Sequence, residues 1–599
     1  MATMDKYSVT NIKVGNLLSA AQVGDIAIPE IQRPFVWKRT QVRALVDSLY
    51  NNYPVGYIIT WKSPDVKIKD GKTSNGRLIL IDGQQRITAL STALNKVEIV
   101  TDSYKKERIV ISFNPITEEF KVRDRSTERG KEWITDIADA MDAGRKFIND
   151  YLALNGIIDD ETADKISEHF EQLKGIKSAD VGNITLDANL DIGVVTEIFI
   201  RINDAGVKLS QADFTMSKIA IYEKTSGDEY GMYLRKYIDY FCGLAASPEN
   251  LTHIQDNDAA FVHSPYLDKI RWVADDDNEV YIPAYSDVLR VVSLLEFNRG
   301  RLVDLVALLS GRDFEARTYK YEIAEDSFRK LEVGVDKFTK KDNFQHFVQD
   351  ILFNLQFKDA GLTISQNAIN YAYAMYLRNK YLGVDDAKLK SLIRRLFIIS
   401  LLTERHSGSF ESQWTSDFQK MKTISSLEEL VTTLERQNFT EVFWKDTLPS
   451  RFDNSNINAS CWILYTLAQK SLGDQSFLTT TMVRDMKTAQ VHHIFPKAYL
   501  QKSGYTEKTY NKLANYVYLH DQVNNKVNDR SPEVYMAEVK KFDGAFGNEI
   551  KTSDELLKNL CDNAIPEDIS QGTADNYFEF LQDRALLMSQ KIKTYYEAQ

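Results

Sequence analysis

Apolar positions along this chain change period twice. Val42, Leu45, Val46 and Leu49 recur at helical spacing, and residues 56–61 and 78–81 are short apolar runs of the kind that make buried strands. The second run stops at Asp82-Gly83 and gives way to a helical pattern through Leu90. Further along, the helical period takes over: Val288, Leu289, Val292 and Leu295 form one stripe, and Leu302, Leu305, Val306 and Leu309 the next. The pattern predicts a mixed α+β region, a helical middle over 215–450 and a small α+β unit at the end. Residues 245–287 and 447–460, rich in turn formers, read as loops, the second leading into the last domain. Tyr222, Tyr230, Tyr233, Tyr237, Tyr240 and Phe241 lie near helical spacing and read as a packing seam. No repeat with the period of a solenoid or propeller is visible.

Composition narrows the class. The 599 residues, 43% hydrophobic and 27% charged, describe a globular chain of several domains and exclude collagen-like and wholly disordered proteins. With 74 Lys and Arg against 85 Asp and Glu, the net charge is −11, so nucleic acid must be met by local patches. Residues 31–110 supply one such patch, with 14 basic against 7 acidic side chains, and residues 481–530 another, with eight against four. Cys242, Cys461 and Cys561 are an odd number without a C-x-x-C pair, which fits neither a disulfide scaffold nor a Cys-ligated zinc and points to a reducing compartment. The opening residues carry charges without an apolar core, and the run at 396–402 is far short of the ~20 residues of a bilayer span. A cytoplasmic protein with no membrane contact is expected.

Two of the eight histidines are adjacent, in Val491-His492-His493-Ile494-Phe495-Pro496-Lys497. Neighbours on a strand face opposite sides, whereas a strand end or turn lets both converge, so spacing leaves their roles open. Asn515 follows in the strand-like Asn-Tyr-Val-Tyr-Leu and Asn524 in a helix-like stretch. The order is strand with His, strand with Asn, helix with Asn. It resembles the HNH, or ββα-metal, nucleases. Within them it is similar to the carboxy-terminal domain of the GmrSD-type (type IV, modification-dependent) restriction enzymes. Their His-Ile-Phe-Pro-Lys, Asn-x-x-x-Leu, Asn-x-x-[IV] and Pro-x-x-Tyr signatures match residues 493–497, 515–519, 524–527 and 532–535. The resemblance implies metal-dependent hydrolysis of DNA, with His493 as general base, Asn515 holding its imidazole, and His492 with Asn524 on one divalent metal. Many HNH proteins carry Asp where His492 stands, and an imidazole there brings Mn²⁺ or Ni²⁺ into consideration beside Mg²⁺. Asn525 is the rival of Asn524, and His520 is a candidate third imidazole.

At the other end, Asp82-Gly83-Gln84-Gln85-Arg86 sits between a strand and a helix. A helix amino terminus offers unpaired N–H groups to a phosphate, Gly83 allows close approach, the glutamines offer amides, and Arg86 offers a planar fork. Gly71-Lys72-Thr73 imitates the end of a P-loop, but Val66 stands where that motif needs Gly, so nucleotide hydrolysis of the P-loop kind is excluded. With residues 28–37 upstream and 199–209 downstream, the motif resembles the amino-terminal domain of the same GmrSD group over roughly residues 10–220. That implies a ParB/sulfiredoxin-like fold and a nucleotide pocket of Asp82, Gly83, Gln84, Gln85 and Arg86, with Gln32 and Arg33 as companions. Arg201 and Asn203 are weaker candidates.

The expectation is a multidomain α+β, mostly helical protein. A ParB/sulfiredoxin-like nucleotide-binding and DNA-sensing domain occupies 1–220, a helical relay or homodimer-forming region 221–450, and an HNH domain 451–599. It would cut modified phage DNA with a divalent metal, under control of a nucleoside triphosphate. The alternative is a nucleotide-sensing defence or toxin-like protein whose nuclease domain is degenerate or directed at RNA.

Overall fold

The computed structural model describes residues 6–23, 25–27, 35, 37–62, 78–100, 106–187, 190, 211–220, 222, 230–357, 365–420, 426–486, 491–544, 546 and 549–599. The chain divides into two compact units. The first comprises Met1–Asp276, Ala284–Leu289 and Leu302–Glu332, and the second Asp277–Pro283, Arg290–Arg301 and Val333–Gln599.

In the first unit, β1 (Tyr7–Lys13), β2 (Ile26–Ala27), β3 (Tyr57–Lys62), β4 (Leu78–Asp82) and β5 (Asp180–Leu186) form one mixed sheet in the order β1-β5-β3-β4-β2. β1 and β5 pair antiparallel, β3 and β5 parallel, and β3 and β4 antiparallel with a register shift between Ile59 and Thr60. Strand alternation sorts the apolar side chains by face. Ile58 and Leu80 enter the main core with residues of α1 (Val14–Val23), α2 (Arg39–Tyr50), α3 (Gln84–Leu94) and α4 (Asp160–Gly175), whereas Ile59, Trp61 and Leu186 make a separate small cluster. The stripe Val42, Leu45, Val46 and Leu49 is the buried side of α2, each side chain stabilising by about 1.5–3 kcal/mol.

Residues 245–287, expected as a loop, are largely helical: Asn250–Asn257, Ala259–Val262, Pro265–Ile270 and a 3-10 turn at Arg271–Asp275. Asp and Pro, which with Asn suggested turns, start helices instead, helped by a Ser. Asp258 and Ser264 accept hydrogen bonds from Phe261 and Tyr266 N–H groups, and Pro265 opens its helix where no N–H is required. Tyr237 and Phe241 are fully buried, as a packing seam requires.

The second unit is helical apart from one short hairpin among its described residues. α5 (Gln366–Tyr381) and α6 (Asp386–Leu402) are buried on most of their surface. Tyr281, Phe338, Phe344 and Tyr373 form an aromatic cluster with centroids from 5.0 to 6.4 Å apart. Its buried hydroxyls are satisfied, Tyr373 donating to the Phe338 carbonyl at 2.7 Å and Tyr281 to Asn370 Oδ1 at 2.9 Å. α7 (Ser460–Leu472) packs on α9 (Tyr577–Glu597), and the hairpin of β6 (Val491–His493) and β7 (Tyr516–Tyr518), followed by α8 (Asp521–Val527), lies in the same unit. No helix among the described residues is long and apolar enough to cross a membrane, and all three cysteines are free.

Candidate functional site

The two histidines stand on a strand of three residues. β6 pairs antiparallel with β7, His492 opposite Val517 and His493 opposite Tyr516. So short a ladder is marginal alone, and the turn after it is held from several sides. Asn515, fully buried, lies in a 3-10 turn (Leu513–Asn515) immediately before β7 rather than on the strand. Its carbonyl accepts from Ile494 N–H at 2.9 Å and its side-chain oxygen from Phe495 N–H at 2.8 Å. Its amide nitrogen donates to the carbonyls of Phe495 and Tyr510, each at 3.1 Å. Tyr535 donates to the Ile494 carbonyl at 3.0 Å, and the fully buried Arg584 of α9 donates to the Ala514 carbonyl at 2.7 Å. Phe495 packs on Tyr577 and Phe580 of the same helix.

Strand alternation sends the two imidazoles to different partners. His493 places Nε2 2.9 Å from Asn511 Oδ1, with the ring against the edges of Tyr516 and Tyr510. Burial holds its pKa below the ordinary 6.5, the Asn511 contact opposing the effect. The ring is therefore neutral at neutral pH, the state a proton acceptor needs. Burial also lowers the pKa of His492, against the pull of Asp521. His492 Nε2, a buried nitrogen, lies 3.4 Å from Asp521 Oδ1, within ion-pair reach but without well-aligned hydrogen-bond geometry. Asn524 is half-buried one turn along α8 from Asp521, whereas Asn525 and His520 are exposed.

An imidazole nitrogen that makes no well-formed hydrogen bond and faces a carboxylate across 3.4 Å fits a divalent cation between nitrogen and oxygen donors. Asn524, at helical spacing from Asp521, would add an amide oxygen. Among the described residues no group of three or more His, Cys, Asp or Glu converges as a ligand set, so such an ion would rely on amide, water or phosphate oxygens for the rest.

In the first unit, β4 leads through Gly83 into α3. Gly83 has φ +104°, and a Cβ there would lie 3.0 Å from Ile58 Cγ1, so glycine is required twice over. Arg86 reaches back across the turn: Nη1 donates to the Tyr57 carbonyl at 2.7 Å and stands 3.7 Å from Asp82 Oδ2. Gly56, at φ +86°, makes room for that guanidinium, since a Cβ would come within 3.2 Å of Nη2. The start of α3 has no side-chain cap, and Gln84 Oε1 is a buried acceptor without a partner. Gln85 is half-buried. Gln32, Arg33, Arg201 and Asn203 lie outside the described residues.

Residues 14–220 match the family model of the GmrSD restriction endonuclease, N-terminal domain. The GmrSD match takes in α1 to α4, four of the five strands of the sheet and the Asp82–Arg86 turn. An uncharacterized protein of Methanocaldococcus jannaschii is 20% identical across 96% of this chain and 97% of its own length, so the similarity runs through both units.

Three features escaped the sequence. Asn511 and Asp521 belong to no motif quoted above, and only the folded hairpin puts them beside His493 and His492. A cleft of about 330 Å³ in the first unit gathers Arg39, Arg108, Arg123 and Arg125 from separated segments, three of them already paired, with Glu107, Asp136 and Glu128. Each of the four is unremarkable in its own stretch of sequence.

Proposed function

We propose that this chain is a metal-dependent endonuclease of the restriction type, acting on modified foreign DNA and regulated by a nucleoside triphosphate at the Asp82–Arg86 turn. The observation that carries the proposal is the half-buried His493 on a braced two-stranded hairpin, followed by a helix whose Asp521 faces His492 and whose Asn524 lies one turn further on. That order supports reading the hairpin and helix as the ββα arrangement of the HNH nucleases. The GmrSD match in the other unit supports the restriction context and the nucleotide.

In this reading His493 takes a proton from water as the water oxygen attacks phosphorus, and the P–O bond in line with it breaks with its electron pair staying on the leaving oxygen. Asn515 acts on the backbone: it fixes Ile494 and Phe495, and so the aim of the strand end, and does not touch the imidazole. A divalent metal held by His492 and Asn524, with Asp521 as an added ligand, would neutralise charge at the scissile phosphate. The imidazole in that set admits Mn²⁺ or Ni²⁺ beside Mg²⁺. Lys497, Lys508 and Lys526, within the locally basic 481–530 segment, meet the phosphate backbone. At the turn, the uncapped start of α3 and the Gln84 and Gln85 amides receive a phosphate, with Arg86 exchanging the Tyr57 carbonyl for it.

The test is cleavage of matched modified and unmodified phage DNA with Mg²⁺, Mn²⁺ or Ni²⁺, with and without nucleotide, beside His493→Ala. Cutting confined to modified DNA, and lowered in the variant by about 10²–10⁴-fold, is expected. Undiminished cutting by His493→Ala overturns the assignment, and cleavage of RNA alone moves the substrate to RNA.

A further inference from the structure

Which nitrogen of His493 carries the hydrogen is decided by a residue outside every motif. Asn511 closes the short helix Glu507–Tyr510, its backbone N–H donating to the Glu507 carbonyl at 3.1 Å. Its side chain lies between two groups, with Oδ1 2.9 Å from His493 Nε2 and Nδ2 3.3 Å from Glu507 Oε1. A carboxylate only accepts hydrogen bonds, so the amide nitrogen belongs on the Glu507 side. The reversed amide would set oxygen against carboxylate oxygen. With the amide so oriented, the imidazole faces a carbonyl-type oxygen, and the nitrogen facing it must be N–H. Nδ1 is left with the lone pair. Asn515 cannot share the task, because both ends of its amide are bonded to the backbone of Phe495 and Tyr510.

We propose that Asn511, oriented by Glu507, is a positioning residue that fixes the Nε2–H tautomer of His493 and thereby makes Nδ1 the nitrogen that receives the water proton. The inference rests on the reading of His493 as general base. On proton transfer the ring gains a second N–H at Nδ1, while Nε2–H keeps its bond to Asn511 Oδ1. The imidazolium charge is met by an oxygen already in place, with no reorganisation needed. Glu507 acts at one remove, by making the wrong amide orientation repulsive.

The experiment uses full-length protein carrying ¹⁵N-labelled histidine, with the His493 signals identified by their loss in His493→Gln. At a pH where the ring is neutral, the wild type should show the Nε2–H form alone, and Asn511→Ala a mixture of tautomers. Asn511→Asp combined with Glu507→Gln, which keeps an acceptor facing His493 without setting two carboxylates together, should restore the single form, and Glu507→Ala should give an intermediate mixture. In cleavage assays Asn511→Ala should lower kcat by about 10- to 100-fold at nearly constant KM, with the double variant recovering most of it. A wild-type Nδ1–H form, or a tautomer and kcat indifferent to Asn511→Ala, overturns the proposal. The spectroscopic arm needs no substrate. If His493→Ala cuts as well as the wild type, the general-base reading fails, and with it the catalytic half of the proposal, whatever the tautomer.

Discussion

The hairpin and the Asp82–Arg86 turn each set polar residues at the end of a strand, but they differ in what those residues still have to offer. In the hairpin, Asn515, Tyr535 and Arg584 satisfy the backbone, so His492 has only the loose contact with Asp521 at its ring nitrogen and His493 needs only Asn511. In the turn, the strongest candidate ligand is already engaged, since Arg86 bridges the Tyr57 carbonyl and Asp82. The contrast separates a preorganised site from a latched one. Under the proposed function the first would need no rearrangement before chemistry, and in the second a phosphate would have to compete with a charge-assisted hydrogen bond, which would couple its binding to movement of the β3 end.

The comparison breaks most visibly at Asn515. Asn515→Ala strips partners from the Phe495 N–H, the Phe495 carbonyl and the Tyr510 carbonyl in a buried turn, and should cost about 3–5 kcal/mol in denaturant unfolding of the second unit. Gly83→Ala attacks the latch. It forces a side chain to φ +104° against Ile58 and should cost about 1–3 kcal/mol, with nucleotide affinity falling in parallel in a binding titration.

Acid sharpens the contrast without mutation. His406, buried between Ser400 and Trp414, has its pKa pushed down to about 3, while His492 and His493 are lowered in the same direction by burial. Below the ordinary value of 6.5 the unfolded chain takes protons that the folded unit refuses, so stability falls as pH drops, by up to about 1.4 kcal/mol per pH unit from His406 alone. Amide exchange protection at Ile494 and Phe495, corrected for intrinsic rates, should decline across that range. The smallest effect is a gain. Asn528 ends α8 at φ +50° and ψ −125°, a conformation suited to glycine, and Asn528→Gly should raise the unfolding free energy by about 1 kcal/mol.

The sequence was most legible where period alone determines structure. The stripe at Val42, Leu45, Val46 and Leu49 and the strand ending at Asp82 are local patterns, and they appear as α2 and β4. Segment 245–287 misleads because Asp, Asn and Pro serve helix starts as readily as turns, and only Asp258 and Pro265 in place show which. Asn515 stands out in the sequence but reads as part of the strand, because its alternating neighbours Tyr516 and Tyr518 are strand residues, while its own amide closes the turn before them. Asp521 and Asn511 could not be read at all. Their importance is a matter of what lies across a hairpin and a loop, which no spacing along the chain encodes.

Arg584 gives the hairpin a schedule. The guanidinium that holds the Ala514 carbonyl is made 70 residues after it, about 4–14 s later at a synthesis rate of 5–20 residues per second. During that interval the emerging chain displays both histidines and Asn515 but lacks the helix against which Phe495 packs. Completion of the hairpin's bracing is therefore a late event in the life of each molecule, and a chain stopped before Tyr577 would carry every signature of the motif without its brace.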